Sequence, residues 1–496
     1  MKKLIAILLA LLMLSFALVS CQKEENEKDQ SPEALTPERE IDTGRVDANG
    51  YLLDRLPEGD ALKALGFSGS TVNVLSWDDE EAQTFPKEDS TSDPIKGKLY
   101  NHWLGIAERF DITFDTKYTD SSWHGQDAFF TAARADDATY DLIQTQSLFP
   151  SALAREGRIC NLRNLGYPDL EMPWWPVSVK QWTQSGALYF IASNSSAMGI
   201  SNMAVIFVNE GMITSKGRSS PVQSVLHGVW TVEEMTSISK LFAGAAENAD
   251  EASRIYGFVI DDPSRFDRFY ESCGFSSVIT NETTGVSSLG YDEESELQAI
   301  TAALNQFEAL VTGPEVICHP VDDFTEMNEG RTAMLLGYMQ YIRSLENTEE
   351  YTVVPLPMLN AAQYDTVGYR TTHRDYTDVW CMPTTTSNKV LSGMILEANA
   401  SSEYRMVGPF YYEQYLKDRY ANGSDGRKCF DILRDSVVYD FGIVGGGNAA
   451  SYWRPCFYSS GLLWNNSFAA NYKSDASARA KHFQNILDDY AKYVNN

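Results

Sequence analysis

The stretch from Asn202 to Met212, NMAVIFVNEGM, decides how the chain is divided. Its apolar run has the length of a strand and is rich in Val and Ile. A polar pair and a glycine, Asn209-Glu210-Gly211, close it. One set of alternating strand and helix patterns lies before it and another after it. It therefore reads as a crossover between two α/β lobes.

Working towards the amino terminus, Tyr140 to Thr145 reads as a strand and Phe129 to Ala135 as a helix. Ile112 to Thr116 is strand-like, Leu99 to Phe110 has apolar residues at helical spacing, and Thr71 to Leu75 is a strand running into Ser76-Trp77-Asp78-Asp79. This alternation is that of a doubly wound sheet. In such sheets ligands bind outside the carboxyl ends of the strands. Trp77, the loop Ser121-Ser122-Trp123-His124 and the segment Gln144 to Ser147 are thereby expected near one rim.

Beyond the crossover, Thr231-Val232-Glu233-Glu234 marks a helix start, with Thr231 as cap and Trp230 packing on Met235 as a staple. Trp230 is thus read as structural. Ile255 to Ile260 is the next strand and Glu294 to Val311 a long amphipathic helix. Phe324 to Leu335 reads as a helix leading to Leu336-Gly337-Tyr338. Strands follow at Tyr351 to Pro357 and Val379 to Pro383, then a helix at Lys389 to Ala400. From Glu403 the pattern is mostly helical, one segment ending at Asp440-Phe441-Gly442. Gly445-Gly446-Gly447 reads as a flexible turn, and without a strand before it or a lysine after it no nucleotide site is expected there. Ala476 to Tyr493 is a terminal helix with Ala480, Phe483, Ile486, Leu487 and Tyr490 on one face.

A chain of 496 residues exceeds what one core supports, since cores stop growing near roughly 250 to 300 residues. At the amino terminus Lys2 and Lys3 precede the apolar run Leu4 to Val19, which ends at Leu18-Val19-Ser20-Cys21 and resembles a bacterial lipoprotein cleavage site. Residues 1–20 are expected to be a removed signal and Cys21 to carry lipid. Residues 21–69 are polar and charged, and read as an unfolded tether. The formal charge of −28, without any Lys/Arg cluster, argues against a nucleic-acid partner. Six further cysteines, Cys160, Cys273, Cys318, Cys381, Cys429 and Cys456, include no C-x-x-C pair, which makes zinc and thioredoxin-like chemistry unexpected. Disulfides among them stay open.

Several motifs together give the chain a resemblance. Tyr140-Asp141-Leu142-Ile143, Val205-Ile206-Phe207-Val208-Asn209, Gly228-Val229-Trp230-Thr231, Tyr256-Gly257-Phe258, Asn328-Glu329-Gly330-Arg331-Thr332-Ala333-Met334 and Val353-Val354-Pro355-Leu356-Pro357 follow one another in order. With them the chain resembles the extracellular solute-binding proteins, family 1, of sugar-type ABC importers, in lipoprotein form. The resemblance spans about Thr71 to Tyr493. It implies an α/β, periplasmic-binding-protein-like fold of type II, with two lobes joined by a hinge and the ligand cleft between them. Crossings near Phe207, Leu335 and Leu396 would give one lobe of 70–207 with 337–396 and a second of 208–336 with 397–496. Gly393 and Gly408 lie near the last crossing, as hinge or as ordinary packing glycines. The implied protein is a monomer without cofactor or metal, held outside the cytoplasm on the cell membrane. Its partners are a small solute, expected to be a mono- or oligosaccharide, and the membrane subunits of the transporter.

Sugars pair apolar CH faces with hydroxyl rims, so their sites combine flat aromatic rings with carboxylates and amides. Trp77, Trp123, Tyr338, Trp380 and Trp453 are the stacking candidates. Asp78, Asp79, Gln144, Gln146 and Asn194 are the hydrogen-bonding ones. An isolated Trp is more often core than ligand-binding, and Trp174-Trp175, between Pro173 and Pro176, reads as a structural loop. A surface glycoside hydrolase is the competing class, but no pair of carboxylates is singled out and neither H-E-x-x-H nor G-x-S-x-G occurs. A glycan-capturing lipoprotein is disfavoured by the early strand and helix alternation.

Overall fold

The computed structural model describes residues 45–496 apart from 78–84, 87–88, 91, 120–124, 136, 249, 251–252, 261–262, 282–283, 319–323, 347–350, 375–376 and 447–467. Its strands in chain order are β1 (Thr71–Trp77), β2 (Thr113–Thr119), β3 (Leu142–Gln146), β4 (Phe190–Ile191), β5 (Ala204–Asn209) and β6 (Phe258–Ile260). They continue as β7 (Val278–Thr280), β8 (Ser287–Leu289), β9 (Val316–Cys318), β10 (Met334–Tyr338), β11 (Tyr351–Val354) and β12 (Asp378–Cys381).

Ten of these strands form two sheets of the same design. The first has the order β2-β1-β3-β12-β4, and the second, read from its β9 edge, β9-β6-β10-β5-β11. In the first, β12 is antiparallel to β3 and β4 while β1 is parallel to β2 and β3. In the second, β5 is antiparallel to β10 and β11 while β6 is parallel to β9 and β10. Each sheet therefore holds one reversed strand at the same place. It is in each case the strand laid down after the chain changes sheets, β5 after β4 and β12 after β11. Parallel neighbours need a helical crossover, whereas an arriving strand can pair head to tail at once.

The crossings consequently fall at 192–203 and 355–377, not near Phe207 and Leu335. The whole of β5 belongs to the second sheet, where Val208 pairs with Met334 and Phe207 with Leu335. Its alternate residues serve two cores: Ala204, Ile206 and Val208 one face, Val205 and Phe207 the other. A strand buried on both faces shows no alternation, so its sequence does not reveal which sheet it joins.

The helices that cover the sheets follow from local chemistry. Asp93 accepts from the Ile95 and Lys96 amides and Pro94 opens the helix Pro94–Phe110, which Asp111 ends in the left-handed region at φ 53°. Thr231 caps Val232–Ser239 by accepting from the Glu234 amide at 3.2 Å, and Glu294–Val311 carries Leu297, Ile300, Leu304 and Phe307 on its buried face.

Further expectations are corrected. The helix at Phe324 to Leu335 is only the turn Thr325–Asn328, after which Gly330 adopts φ 70° and the chain enters β10. Asn-Glu-Gly is a helix stop, and the Met334-Leu335-Leu336 run after it is a strand buried on both faces. Residues 45–69 are not tether: Leu56, Leu62 and Phe67 are buried in the first core and Gly59–Lys63 is helical. These apolar residues are spaced too widely to lift a composition average. The terminal helix Ala476–Lys492 packs into the first core through Phe483, Ile486 and Tyr490, not with the second sheet, and buries Arg479 while Ala480 is exposed. Gly445 and Gly446 end the helix Phe441–Gly446, and Gly447 lies outside the described residues. Cys160, Cys273, Cys381 and Cys429 are free; Cys21 and Cys456 lie outside the described residues.

Candidate ligand-binding site

Parallel β1, β2 and β3 bring their carboxyl ends to one rim, and β12, running the other way, starts there. Asp378 accordingly stands opposite Gln146. Ser76 Oγ donates to Gln144 Oε1 at 2.6 Å, and Gln144 Nε2 donates to Asp378 Oδ2 at 2.7 Å. Both ends of the Gln144 amide are thus engaged inside the protein. Gln144 acts as a bracket that orients the carboxylate of Asp378. Gln146 is also buried, and its Oε1 has no hydrogen-bond partner among the described residues. A buried acceptor left unmatched costs about 1 to 3 kcal/mol, so such a group points to a donor arriving from elsewhere.

At the corresponding end of the second sheet, β10 finishes at Tyr338, which is 5% exposed. The Arg265 guanidinium lies 5.1 Å from its ring centre and 5.0 Å from that of Tyr341, and Arg374 lies 5.7 Å from Tyr338. Arg265 Nη2 also donates to the Tyr341 hydroxyl at 3.4 Å. Cations against the ring surface make Tyr338 part of a cation–π assembly in this conformation.

Between the two rims run the crossings. The Ala204 amide donates to Thr372 O at 2.8 Å and the Arg374 amide to Asn202 O at 2.9 Å, so the outgoing and returning segments pair side by side. His373, on the returning one, stacks on Tyr439 with ring centres 4.4 Å apart. A third passage follows the helix Lys389–Ser402, where Glu403–Val407 winds as π-helix. Burial, with the charge of Asp378 behind it, pushes the Glu403 carboxyl up to about 8, against hydrogen bonds from Ser193 and Asn399 that favour ionisation. His102 bonds Ser402 Oγ and Asn399 Oδ1, each at 2.9 Å, and burial lowers it to about 4.

The remaining candidates are distributed. Trp77 closes β1, its backbone opposite Thr119. Asn194 lies half-buried on the first crossing, its Oδ1 accepting from Ser195 Oγ at 3.5 Å. Trp380 is buried against Phe85 and Trp103, ring centres 5.7 and 5.9 Å away, and is a core residue of the first sheet. Asp78, Asp79, Trp123 and Trp453 lie outside the described residues. Gly393 packs against Tyr167 O, where a Cβ would approach to 2.7 Å, and Gly408 passes close to Ser195. Sequence reasoning missed Ser76, Asp378, Arg265, Arg374 and Glu403. A lone acid opening the apolar strand Asp378-Val379-Trp380-Cys381 was the available signal.

No protein-family model matches the sequence, and no curated protein matches it. Solved structures do. The galacto-N-biose/lacto-N-biose I-binding protein of the ABC transporter from Bifidobacterium longum, in complex with lacto-N-biose, superposes with a TM-score of 0.55 at 12% identity, covering 85% of this chain and 98% of that one. A family 1 extracellular solute-binding protein from Bifidobacterium longum subsp. infantis gives 0.51 at 10% identity over 86% and 100% of the two chains. The GacH receptor of Streptomyces glaucescens, solved unliganded and with acarbose, gives 0.50 at 15% identity over 86% and 99%. The fold is that of the extracellular solute-binding proteins. It is α/β and of the type II periplasmic-binding-protein kind, with two sheets of matching order, each carrying one strand that arrives from the other. In this solute-binding fold the Ser76-Gln144-Asp378 bracket and the Tyr338-Arg265 assembly stand at strand ends, and the paired crossings lie between the sheets.

Proposed function

We propose that the chain is an extracytoplasmic receptor that captures a small solute, a carbohydrate, between its two lobes and delivers it to the membrane subunits of an ABC transporter. The observation that carries the reading is the rim at β1, β3 and β12, where a buried carboxylate is held by Gln144, itself fixed by Ser76, beside an amide oxygen with no partner among the described residues. It sits where ligands bind in open α/β sheets. Such a rim accepts hydrogen bonds, which suits the hydroxyls of a sugar. Two proteins with this fold were solved in complex with carbohydrates, lacto-N-biose and acarbose. The lobes follow the sheets and move about the paired crossings. Lipid on Cys21 tethers the receptor to the cell membrane, and the protein works as a monomer that binds its solute unaltered.

The test is a thermal-shift screen of the full-length chain in detergent against mono- and oligosaccharides, amino acids, peptides and polyamines. A ligand at 100 times its Kd adds about 2.7 kcal/mol. A sugar that raises the melting temperature and is recovered intact is the expected result. Cleavage of that sugar would replace the receptor by an enzyme, and stabilisation by non-sugars alone would remove the carbohydrate. Labelled palmitate incorporated by the parent and lost in Cys21→Ala is the expected result for the anchor.

A further inference from the structure

The two-stranded ribbon of β7 and β8 lies outside both large sheets, and Val278 stands opposite Leu289 in it. The chain on either side belongs to the second lobe: Phe269, Tyr270 and Cys273 before the ribbon, and Tyr291, Leu297 and Ile300 after it, pack in the second-sheet core. Val278 and Leu289 do not. They are buried in the core of the first sheet. Their neighbour Thr280 receives Gln184 Nε2 at 3.4 Å and donates to Gln181 O at 3.4 Å, both first-lobe partners. The alternate residues Ile279 and Val286 face outward, 47% and 66% exposed.

The base of the ribbon is fixed. Asp440, on a further passage between the lobes, accepts from the Ser277 amide at 2.6 Å, from Ser277 Oγ at 2.8 Å and from the Tyr270 hydroxyl at 2.8 Å. Gly290 passes so near Ser276 that a Cβ would lie 1.9 Å from its carbonyl oxygen. A hairpin that only decorated the second lobe would bury its apolar pair on that lobe's own helices. This one carries the pair across.

We propose that the ribbon is a clasp. By seating Val278 and Leu289 in the first lobe it biases the lobes towards one another, and it sets solute affinity without touching the solute. The inference rests on the hinged-receptor reading for its effect on binding, but not for its effect on lobe separation. A clasp that favours the binding-competent arrangement raises apparent affinity by the fraction of molecules it holds there.

The experiment is energy transfer between dyes on Lys117→Cys in β2 and Gln306→Cys in the helix Glu294–Val311, both exposed, in the full-length chain without sugar. Leu289→Ser is expected to lower transfer, Val278→Ala to lower it less, and Ile279→Ser to leave it unchanged. Near-UV circular dichroism reports whether each variant is folded. Should Leu289→Ser not fold, Val278→Ala decides alone. Unchanged transfer in a folded Leu289→Ser or Val278→Ala overturns the clasp, as does an equal change in Ile279→Ser. With a sugar from the thermal screen, Leu289→Ser is expected to weaken Kd about tenfold. Absence of any binding sugar in the parent would count against the receptor reading and leave the transfer result to judge the clasp.

Discussion

Arg109 closes its guanidinium on both carboxylate oxygens of Asp54, at 2.8 and 2.7 Å, and so ties the segment ahead of β1 to the helix Pro94–Phe110. Asp54 is 5% exposed, Tyr51 meets Tyr404 edge to face at 5.6 Å, and Arg405 stands 4.0 Å from the same carboxylate. The segment thus grips the first lobe and the π-helical passage together. Breaking a buried ion pair strands one charge, which costs roughly 3 kcal/mol or more. Asp54→Ala is expected to lower the urea midpoint accordingly. A chain begun at residue 70, which also uncovers the partners of Leu56, Leu62 and Phe67, is expected to lose more. Equal midpoints for chains begun at 45 and at 70 would make the segment an ornament.

That segment also shows where the sequence stopped being legible. The strands β1 to β3, the capped helix after Thr231 and the helix Glu294–Val311 were readable because period and caps are local signals. Membership of a sheet is not local. Nothing in Ala204–Asn209 says that it pairs with Met334–Tyr338, and nothing in Asp378 announces Gln144, 234 positions earlier. Gln144 and Gln146 could be named from the strand end alone, whereas Asp378, Arg265 and Arg374 reach their partners only by tertiary pairing.

Trp230 is wholly buried and donates its indole N–H to Pro355 O at 2.8 Å. Its role is to join the start of Val232–Ser239 to the chain leaving β11. Trp230→Phe removes the donor, leaves the carbonyl unmatched and opens a small void, a loss of about 2 kcal/mol. Chemical unfolding is expected to show that loss while the solute Kd is unchanged. A weakened Kd at unchanged stability would move Trp230 into the site.

Buried groups give the stability a pH dependence with two opposed parts. His102 and His373 are lowered to about 4 by burial, so from pH 6.5 down to 4 the unfolded chain takes up protons that the folded one refuses. Stability falls as pH drops through that window. Glu397 and Glu403 are raised to about 8 by burial, so the folded chain keeps protons that the unfolded one has released above about 4.5. Their contribution falls as pH rises towards 8. Between pH 7 and 8, where the unfolded imidazoles are mostly neutral, the carboxyls dominate among these four groups, each by at most about 1.4 kcal/mol per pH unit. Urea titrations of Glu403→Gln are expected to show a shallower decline over that interval than the parent. An identical slope would mean that Glu403 is already ionised in the fold.

Gln146 and Tyr338 separate binding from stability. The Gln146 oxygen is buried with no partner among the described residues, so removing it relieves a cost in the empty protein and removes an acceptor in the loaded one. Gln146→Ala is expected to melt within a degree or two of the parent, or above it, and to bind its sugar about tenfold more weakly. Tyr338 is packed in the second-sheet core beneath Arg265 and Arg374, so Tyr338→Ala leaves a cavity and takes one ring from beside both guanidinium groups, Arg265 keeping that of Tyr341. That variant is expected to lose about 3 kcal/mol of unfolding stability as well as affinity. The two measurements together assign the residues. If Gln146→Ala melts lower and binds unchanged, its oxygen has a structural partner and the acceptor rim reduces to Asp378.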